Sequence, residues 1–394
     1  MPNDVMQGFP PPRERRPTLD NWDLAPFNRW SFQNVRMVLP TEAIPRGPGQ
    51  PSPLPDAPVQ LDGLAVTDHR GSKTTFGKLL EATDTDGCLV LHRGKRVFER
   101  YLNNMTPASL HLSQSVGKSV VSTTLGALWG KGEIDLEKPV QHYVPELSNS
   151  GYRDATVSQV LDMRSGVKFD EENYADTNAE IGMLDRASLW KPARAGEPES
   201  IPDLILWLKQ ERAHGGQFQY RSIETEVLGW ILARVSGLSL AQLISRELWV
   251  PMGAEQEANI TVDRAGFGLA SGGLNAALRD YARVGQLMLD EGYLNGRQIV
   301  PAAWVDQCRK ADADAFAAYR KTTPATTHVG YSRQWWVGKD GRIAALGIFG
   351  QMIWVDPADQ LVVVSLASWP DYLDPERRAA MFRACRAIGK ALNQ

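Results

Sequence analysis

Ser115-Val116-Gly117-Lys118-Ser119-Val120-Val121-Ser122-Thr123-Thr124-Leu125-Gly126-Ala127-Leu128 is the stretch on which the reading of this chain turns. Small and apolar residues recur at helical spacing, and Gly130 and Gly132 stop the run. Val116, Val120, Val121, Leu125 and Leu128 make it apolar nearly all round, so it predicts a buried central helix. Ser115 and Lys118 stand at its start. An i,i+3 spacing puts both side chains on one helix face, within hydrogen-bonding reach. The helix N-terminus lends partial positive charge to the serine, and its free N–H groups can hold an oxyanion. Burial disfavours an ammonium ion, so Lys118 can accept a proton near neutral pH. A serine activated in this way attacks an ester or amide carbonyl. The competing reading is that Lys118 merely forms an ion pair.

Ser-x-x-Lys is a weak motif alone, and the chain contains it three times. Ser165-Gly166-Val167-Lys168 sits in a Gly-containing turn, and Ser188-Leu189-Trp190-Lys191 abuts Pro192 with no helical continuation. Helical context selects Ser115. Other sites are absent from the sequence: it has no G-x-S-x-G elbow, H-E-x-x-H zinc pair, Walker A loop or G-x-G-x-x-G loop. The six histidines are isolated from one another, so nothing local proposes a Ser-His-Asp triad.

Outward from the helix, Gly87–Tyr101 reads as a hairpin turning at Arg93-Gly94. From Pro139 to about Asn259 the pattern is helical and loop-rich, with helices expected at Ile201–Gln210, Ile223–Ser236 and Leu240–Leu248. Helices are also expected at Asn275–Glu291, Pro301–Arg309 and Pro375–Leu392, and strands at Tyr331–Val337, Arg342–Ile348, Met352–Val355 and Leu361–Ser368. Strands at both ends with helices between them predict an α/β (α+β) fold, an antiparallel sheet flanked by helices with an inserted helical domain. Residues 1–58 are rich in proline and cannot be regular helix or central strand. They carry Trp22, Phe27, Trp30 and Phe32, so an arm packed on the body is expected. The division predicted is this arm, an α/β domain of 59–138 plus 268–394, and a helical domain of 139–267.

With 394 residues, 43% hydrophobic and 23% charged, the chain is large enough for two subdomains sharing a cleft. A net charge of −3 gives no hint of nucleic-acid or membrane binding, and Arg13, Arg15 and Arg16 read as a solvated cluster. Cys88, Cys308 and Cys385 lie far apart without metal-ligand spacing, which fits a reducing compartment. No signal-peptide pattern opens the sequence and no apolar run is long enough to span a bilayer, so a cytoplasmic enzyme is expected.

A second group belongs in the helical insert. Gly215-Gly216-Gln217-Phe218-Gln219-Tyr220-Arg221-Ser222 places Tyr220 and Ser222 at a loop–helix junction facing the cleft. A tyrosine hydroxyl beside a lysine can shuttle a proton from nucleophile to leaving group. Taken alone, Tyr220 would read as a packed aromatic.

Ser115-Val116-Gly117-Lys118, Tyr220-Arg221-Ser222 and a C-terminal strand with Gly347 resemble the three ordered motifs of class C β-lactamases, D-alanyl-D-alanine peptidases and family VIII carboxylesterases, over about residues 85 to 394. Phe218-Gln219-Tyr220, Gly266-Phe267-Gly268, Arg333-Gln334-Trp335-Trp336, the stretch Gly347 to Pro357 and the arm with Asn28-Arg29-Trp30 resemble the 6-aminohexanoate-dimer hydrolases, which degrade nylon oligomers. The resemblance implies a β-lactamase/penicillin-binding-protein-like fold. It implies Ser115 as nucleophile, Lys118 as general base and Tyr220 as proton donor to the leaving group. It gives the oxyanion hole to the N–H groups of Ser115 and Ile348. Tyr174 would assist amide cleavage from a mobile loop, and Asp185 would bind a substrate ammonium, unless it pairs with Arg186 or another base. Ser222 and Ser271 would contact substrate.

Three departures matter. Ala345-Leu346-Gly347 lacks the cation of Lys-Thr-Gly, so antibiotic hydrolysis should be poor. Ser222 replaces an asparagine, and Ser271 stands where the nylon-oligomer enzymes carry histidine or asparagine. The expected protein is a serine hydrolase of carboxylic esters and, as the sharper guess, of linear amides, with no metal or organic cofactor. Its expected partner is a small-molecule substrate, neither nucleic acid nor membrane, with a homodimer left open. The rivals are a β-lactamase or D-alanyl-D-alanine peptidase, and a non-catalytic binding protein on the same scaffold.

Overall fold

The strand Leu361–Ala367 pairs on one side with Met352–Asp356 and on the other with Thr85–His92, so the C-terminal strands and the early hairpin close into one sheet. In the computed structural model, which describes residues 4–172, 174, 176–323 and 328–394, this sheet has seven antiparallel strands. Their order is His328–Ser332, Trp335–Gly338, Ile343–Leu346, Met352–Asp356, Leu361–Ala367, Thr85–His92 and Lys95–Tyr101. Met1–Asn3 of the expected arm lie outside the described residues.

Strand periodicity sends alternate side chains to opposite faces. Leu89, Leu91, Ile353, Val355, Val362 and Val364 face the helices Val116–Gly130 and Leu278–Leu289. Cys88, Val90, Trp354 and Val363 face Pro375–Leu392 and Phe76–Ala82. Both faces are covered, which is why these strands read as apolar runs. The α/β expectation holds, as do the hairpin and the helix from Ser115, observed as Val116–Gly130.

Four details differ from the sequence reading. The expected strand Tyr331–Val337 is two strands joined by a turn at Arg333-Gln334, both with positive φ (50° and 64°). Such a hairpin turn is usually announced by Asn or Gly. Here tertiary hydrogen bonds stabilise it instead: Asp162 accepts from Arg333 N (2.8 Å) and Nη1 (2.7 Å), and Ser119 and Ser122 donate to the carbonyls of Gln334 and Arg333. The expected helix Asn275–Glu291 runs only over Leu278–Leu289, because Leu274–Ala277 is a strand. The helix from Ile201 stops at Trp207, since Leu208 turns extended. Finally, a second antiparallel sheet joins segments far apart in sequence, in the order Thr41–Ile44, Ala258–Thr261, Leu274–Ala277 and Leu110–Leu112.

The first of those strands lies in the proline-rich segment, at the sheet edge where missing N–H donors are tolerated. Around it Trp22, Phe32, Val35, Leu39 and Ile44 are buried in the same core cluster as the central helix. Trp22 Nε1 donates to the Trp190 carbonyl (2.8 Å) and Asn28 Nδ2 to that of Trp369 (2.7 Å).

Candidate active site

The chain reaches Ser115 through Gln114, whose φ of +50° is unusual for a residue with a side chain. The helix then starts at Val116, so Ser115 stands at its N-terminal end. Three residues on, Lys118 is buried, donating from Nζ to Ser115 Oγ (2.7 Å) and to the Ser271 carbonyl (3.1 Å). Burial pushes the Lys118 pKa down to about 8, while Glu171 and Glu226 oppose the shift. A lysine in that range is substantially neutral at mildly basic pH and can take the serine proton.

The sequence reading missed the two carboxylates. Glu226 lies on the helix Ser222–Ser236 and accepts from the N–H groups of Ala270 (2.9 Å) and Ser271 (2.8 Å). Burial pushes its pKa up to about 7. It thereby fixes the backbone whose Ser271 carbonyl holds Lys118. Glu226 follows Ser222 by one helical turn, and that spacing was a usable signal. Glu171 caps the same helix, accepting from the N–H and the hydroxyl of Ser222. Nothing local in its loop announces this.

Tyr220 precedes that helix. Burial holds its pKa above the ordinary tyrosine value, with Ser115 opposing the shift. Its ring stacks on Trp336 (5.6 Å between centroids), and Lys118 Nζ lies 5.0 Å from the ring centre. Ser115, Lys118 and Tyr220 therefore lie together, the lysine hydrogen-bonded to the serine and packed over the phenol ring.

Across the cleft, Gly347 ends the strand Ile343–Leu346. A Cβ there would lie 2.6 Å from the Ser113 carbonyl and 3.0 Å from Gln114 Cβ. Only glycine permits this approach, which brings Ile348 to the wall of the cavity that Ser115 lines. Among the described residues no backbone acceptor outside helices and strands takes the N–H of Ser115 or Ile348. Two free donors at a nucleophile can stabilise an oxyanion.

One cavity of about 640 Å³ brings together Ser115, Tyr174, Asp185, Tyr220, Ser222, Ser271 and Ile348, with Lys118 behind the serine. The Tyr174 ring lies 5.1 Å from that of Tyr372. Asp185 does not pair with Arg186, whose guanidinium is taken by Glu197 and the Thr177 carbonyl. Burial, with the Asp23 carboxylate adding to it, pushes the Asp185 pKa up to about 8. The other Ser-x-x-Lys copies are used otherwise. Ser165 donates to Glu224 (2.5 Å), Lys168 pairs loosely with Glu180 (3.6 Å), and Lys191 pairs with Asp23. The third segment carries no cation of its own, but the C-terminal helix supplies one in space: Arg378 donates to the carbonyls of Gly347 (2.5 Å) and Gln351 (2.9 Å).

Among the described residues no His/Cys/Asp/Glu cluster could hold a metal ion, and no single helix is long and apolar enough to cross a membrane.

Comparison with known proteins follows the same lines. The 6-aminohexanoate-dimer hydrolase of Paenarthrobacter ureafaciens is 38% identical over 92% of this chain and 91% of its own length. A solved Bacillus anthracis structure, provisionally assigned as a 6-aminohexanoate-dimer hydrolase, superposes with a TM-score of 0.88 at 30% identity, covering 95% of this chain and 97% of that one. A family VIII carboxylesterase shares the fold at a TM-score of 0.54 and 16% identity, over 79% of this chain and 95% of that one. The Beta-lactamase family profile matches residues 75–388, and with a near-full-length relative at this identity the chain belongs to that family, as a serine hydrolase.

Proposed function

We propose that the protein cleaves carboxylic esters and linear amides through an acyl-serine intermediate, with Ser115 as nucleophile and Lys118 as general base. The observation that carries this is the 2.7 Å contact between Lys118 Nζ and Ser115 Oγ at the foot of a buried helix. Ser115 adds to the carbonyl as its proton passes to Lys118, and the Ser115 and Ile348 N–H groups hold the oxyanion. Tyr220 delivers a proton to the departing alcohol or amine. Water then adds to the acyl-serine and releases the acid. The reading treats 139–267 as a helical domain facing an α/β domain of 59–138 plus 268–394, with the arm 1–58 packed against both.

The sharper substrate is a linear amide with a free terminal amine, in the manner named for the Paenarthrobacter relative. Asp185, without a basic partner in the cavity wall, supports an ammonium subsite, and Tyr174 beside it supports assistance to amide cleavage. Ser222 and Ser271 complete the substrate contacts. A second reading, β-lactam hydrolysis, draws on one observation: the Arg378 guanidinium at Gly347. We also propose a cytoplasmic enzyme acting on small molecules without nucleic-acid or membrane partners, a reading supported by three free, buried thiols and compatible with a homodimer.

The test pairs a fluorophosphonate probe with two chromogenic substrates. Mass labelling at Ser115, with p-nitrophenyl acetate turned over faster than nitrocefin, is the expected result. No label at Ser115 would leave a binding protein, and faster nitrocefin turnover would favour the second reading.

A further inference from the structure

Outside the active cavity a second one, of about 220 Å³, lies between the hairpin Trp335–Leu346 and the C-terminal helix. Its rim carries three cations, Lys339, Arg342 and Arg386. Lys339 and Arg386 are exposed and make no ion pair among the described residues. Arg342 is only loosely paired, at 3.4 Å from Asp340 and 3.7 Å from Asp356.

The wall of this cavity holds polar atoms with nothing to bond. Trp354 Nε1 and both ring nitrogens of His328 are buried and unpartnered, with the residues 3% and 8% exposed. They stand on different strands of the sheet, His328 opposite Gly338 and Trp354 opposite Ala344. Their rings pack on Phe382 at 5.4 and 5.3 Å. A buried donor left unsatisfied is costly, so these groups call for a partner. Burial, reinforced by Arg378, holds the His328 pKa down to about 4. At neutral pH its ring is uncharged and offers one N–H.

We propose that this cavity is a carboxylate-binding subsite, in which Lys339, Arg342 and Arg386 supply charge and Trp354 and His328 supply directed hydrogen bonds. Asp340 and Asp356 already offset part of the Arg342 charge, which favours a singly charged carboxylate group over a phosphate group. His328 also lines the active cavity, so one imidazole separates the two spaces. Arg378, Phe382 and Arg386 lie four residues apart on one helix stripe running from the first to the second. The carboxylate has two sources: the acid end of a substrate's leaving half passing His328, which rests on the hydrolase reading above, or a free organic acid from solution.

Isothermal titration of the intact protein with glutarate at low ionic strength tests the subsite. The proposal expects saturable binding. It should weaken by about fivefold in Lys339→Gln/Arg386→Gln, the size of one or two screened charge contacts, and weaken also in Trp354→Phe. Both lysine and arginine are exposed, so the double variant keeps its fold. No saturable binding, or binding unchanged in the double variant, overturns the proposal. Glutarate binding needs no turnover and should persist in Ser115→Ala, so failure of the subsite and failure of the hydrolase reading are separately visible. The source follows from kinetics on an amide whose leaving half ends in a carboxylate, beside the same compound capped as a primary amide. A rise in KM of the double variant confined to the charged substrate assigns the substrate tail. Equal effects on both, with glutarate bound by the parent and weakened in the double variant, assign a free acid.

Discussion

Replacing Lys118 with arginine isolates what its burial contributes. Lys118 is 1% exposed, and its pKa falls from 10.5 to about 8. That shift corresponds to about 3 kcal/mol of penalty on the ammonium form. The sign follows from the cause: burial disfavours the charged amine, so the folded protein releases this proton at a lower pH than the unfolded chain. At pH 7 about one molecule in ten then carries the neutral base, against about one in 3000 for an unshifted lysine. For p-nitrophenyl acetate, kcat/KM should therefore climb about tenfold from pH 6 to 7, bend near pH 8 and level off above about pH 9. Tyr220 titrates above the ordinary tyrosine range and adds no descending limb below it. Arginine preserves charge and donors but stays protonated throughout, so Lys118→Arg should lose about a thousandfold and its residual rate should lack the limb. An ascending limb near pH 5–6, or a variant retaining a tenth of the parent rate, would refute the assignment of Lys118 as base.

Three further outcomes follow from the geometry. Asp185, with its pKa near 8, is mostly neutral below that pH and ionises above it. KM for an amide with a terminal ammonium should accordingly fall between pH 6 and 8.5 and be flat and higher in Asp185→Asn, while a neutral ester shows neither change. Gly347→Ala would set a methyl 2.6 Å from the Ser113 carbonyl, forcing the Ile348 N–H away from the serine. A loss in kcat of about ten- to a hundredfold is expected, on the scale of a displaced oxyanion donor; unchanged kcat in a folded variant would dismiss Ile348. Trp22→Ala removes a fully buried indole and its bond to the Trp190 carbonyl, for an expected loss of about 3–5 kcal/mol in urea unfolding. Because Trp190 lines the active cavity, KM should rise as well; a loss below about 1 kcal/mol would mean the arm is not part of the core.

Local chemistry was readable in the chain itself. The Ser115–Lys118 spacing, the apolar helix around it, the hairpin at Arg93-Gly94 and the junction at Tyr220 all depend on residues within a turn or two of each other. Propensity and periodicity act over that range. The arrangement of these pieces depends on contacts between distant segments. Arg333-Gln334 has no turn signature because Asp162, Ser119 and Ser122 impose its backbone from elsewhere. The second sheet pairs residues 41–44 with 258–261, and no local pattern specifies that register.

The same division runs through the site. From sequence, Lys118 could be a base or an ion-pair partner, and Asp185 a ligand or a surface charge. What bears on both is desolvation and partner choice, which belong to the folded environment rather than to the residue. Burial lowers the Lys118 pKa, and Glu226 fixes the Ser271 carbonyl that orients its amine. Glu197 takes Arg186 and leaves Asp185 facing the cavity. Arg378 comes to Gly347 from 31 positions along the chain, bringing to the third segment the cation its own residues lack. The chain alone determined which residue types stand one helical turn apart. Only the fold determined which charges are left without partners, since that depends on every segment packed around them.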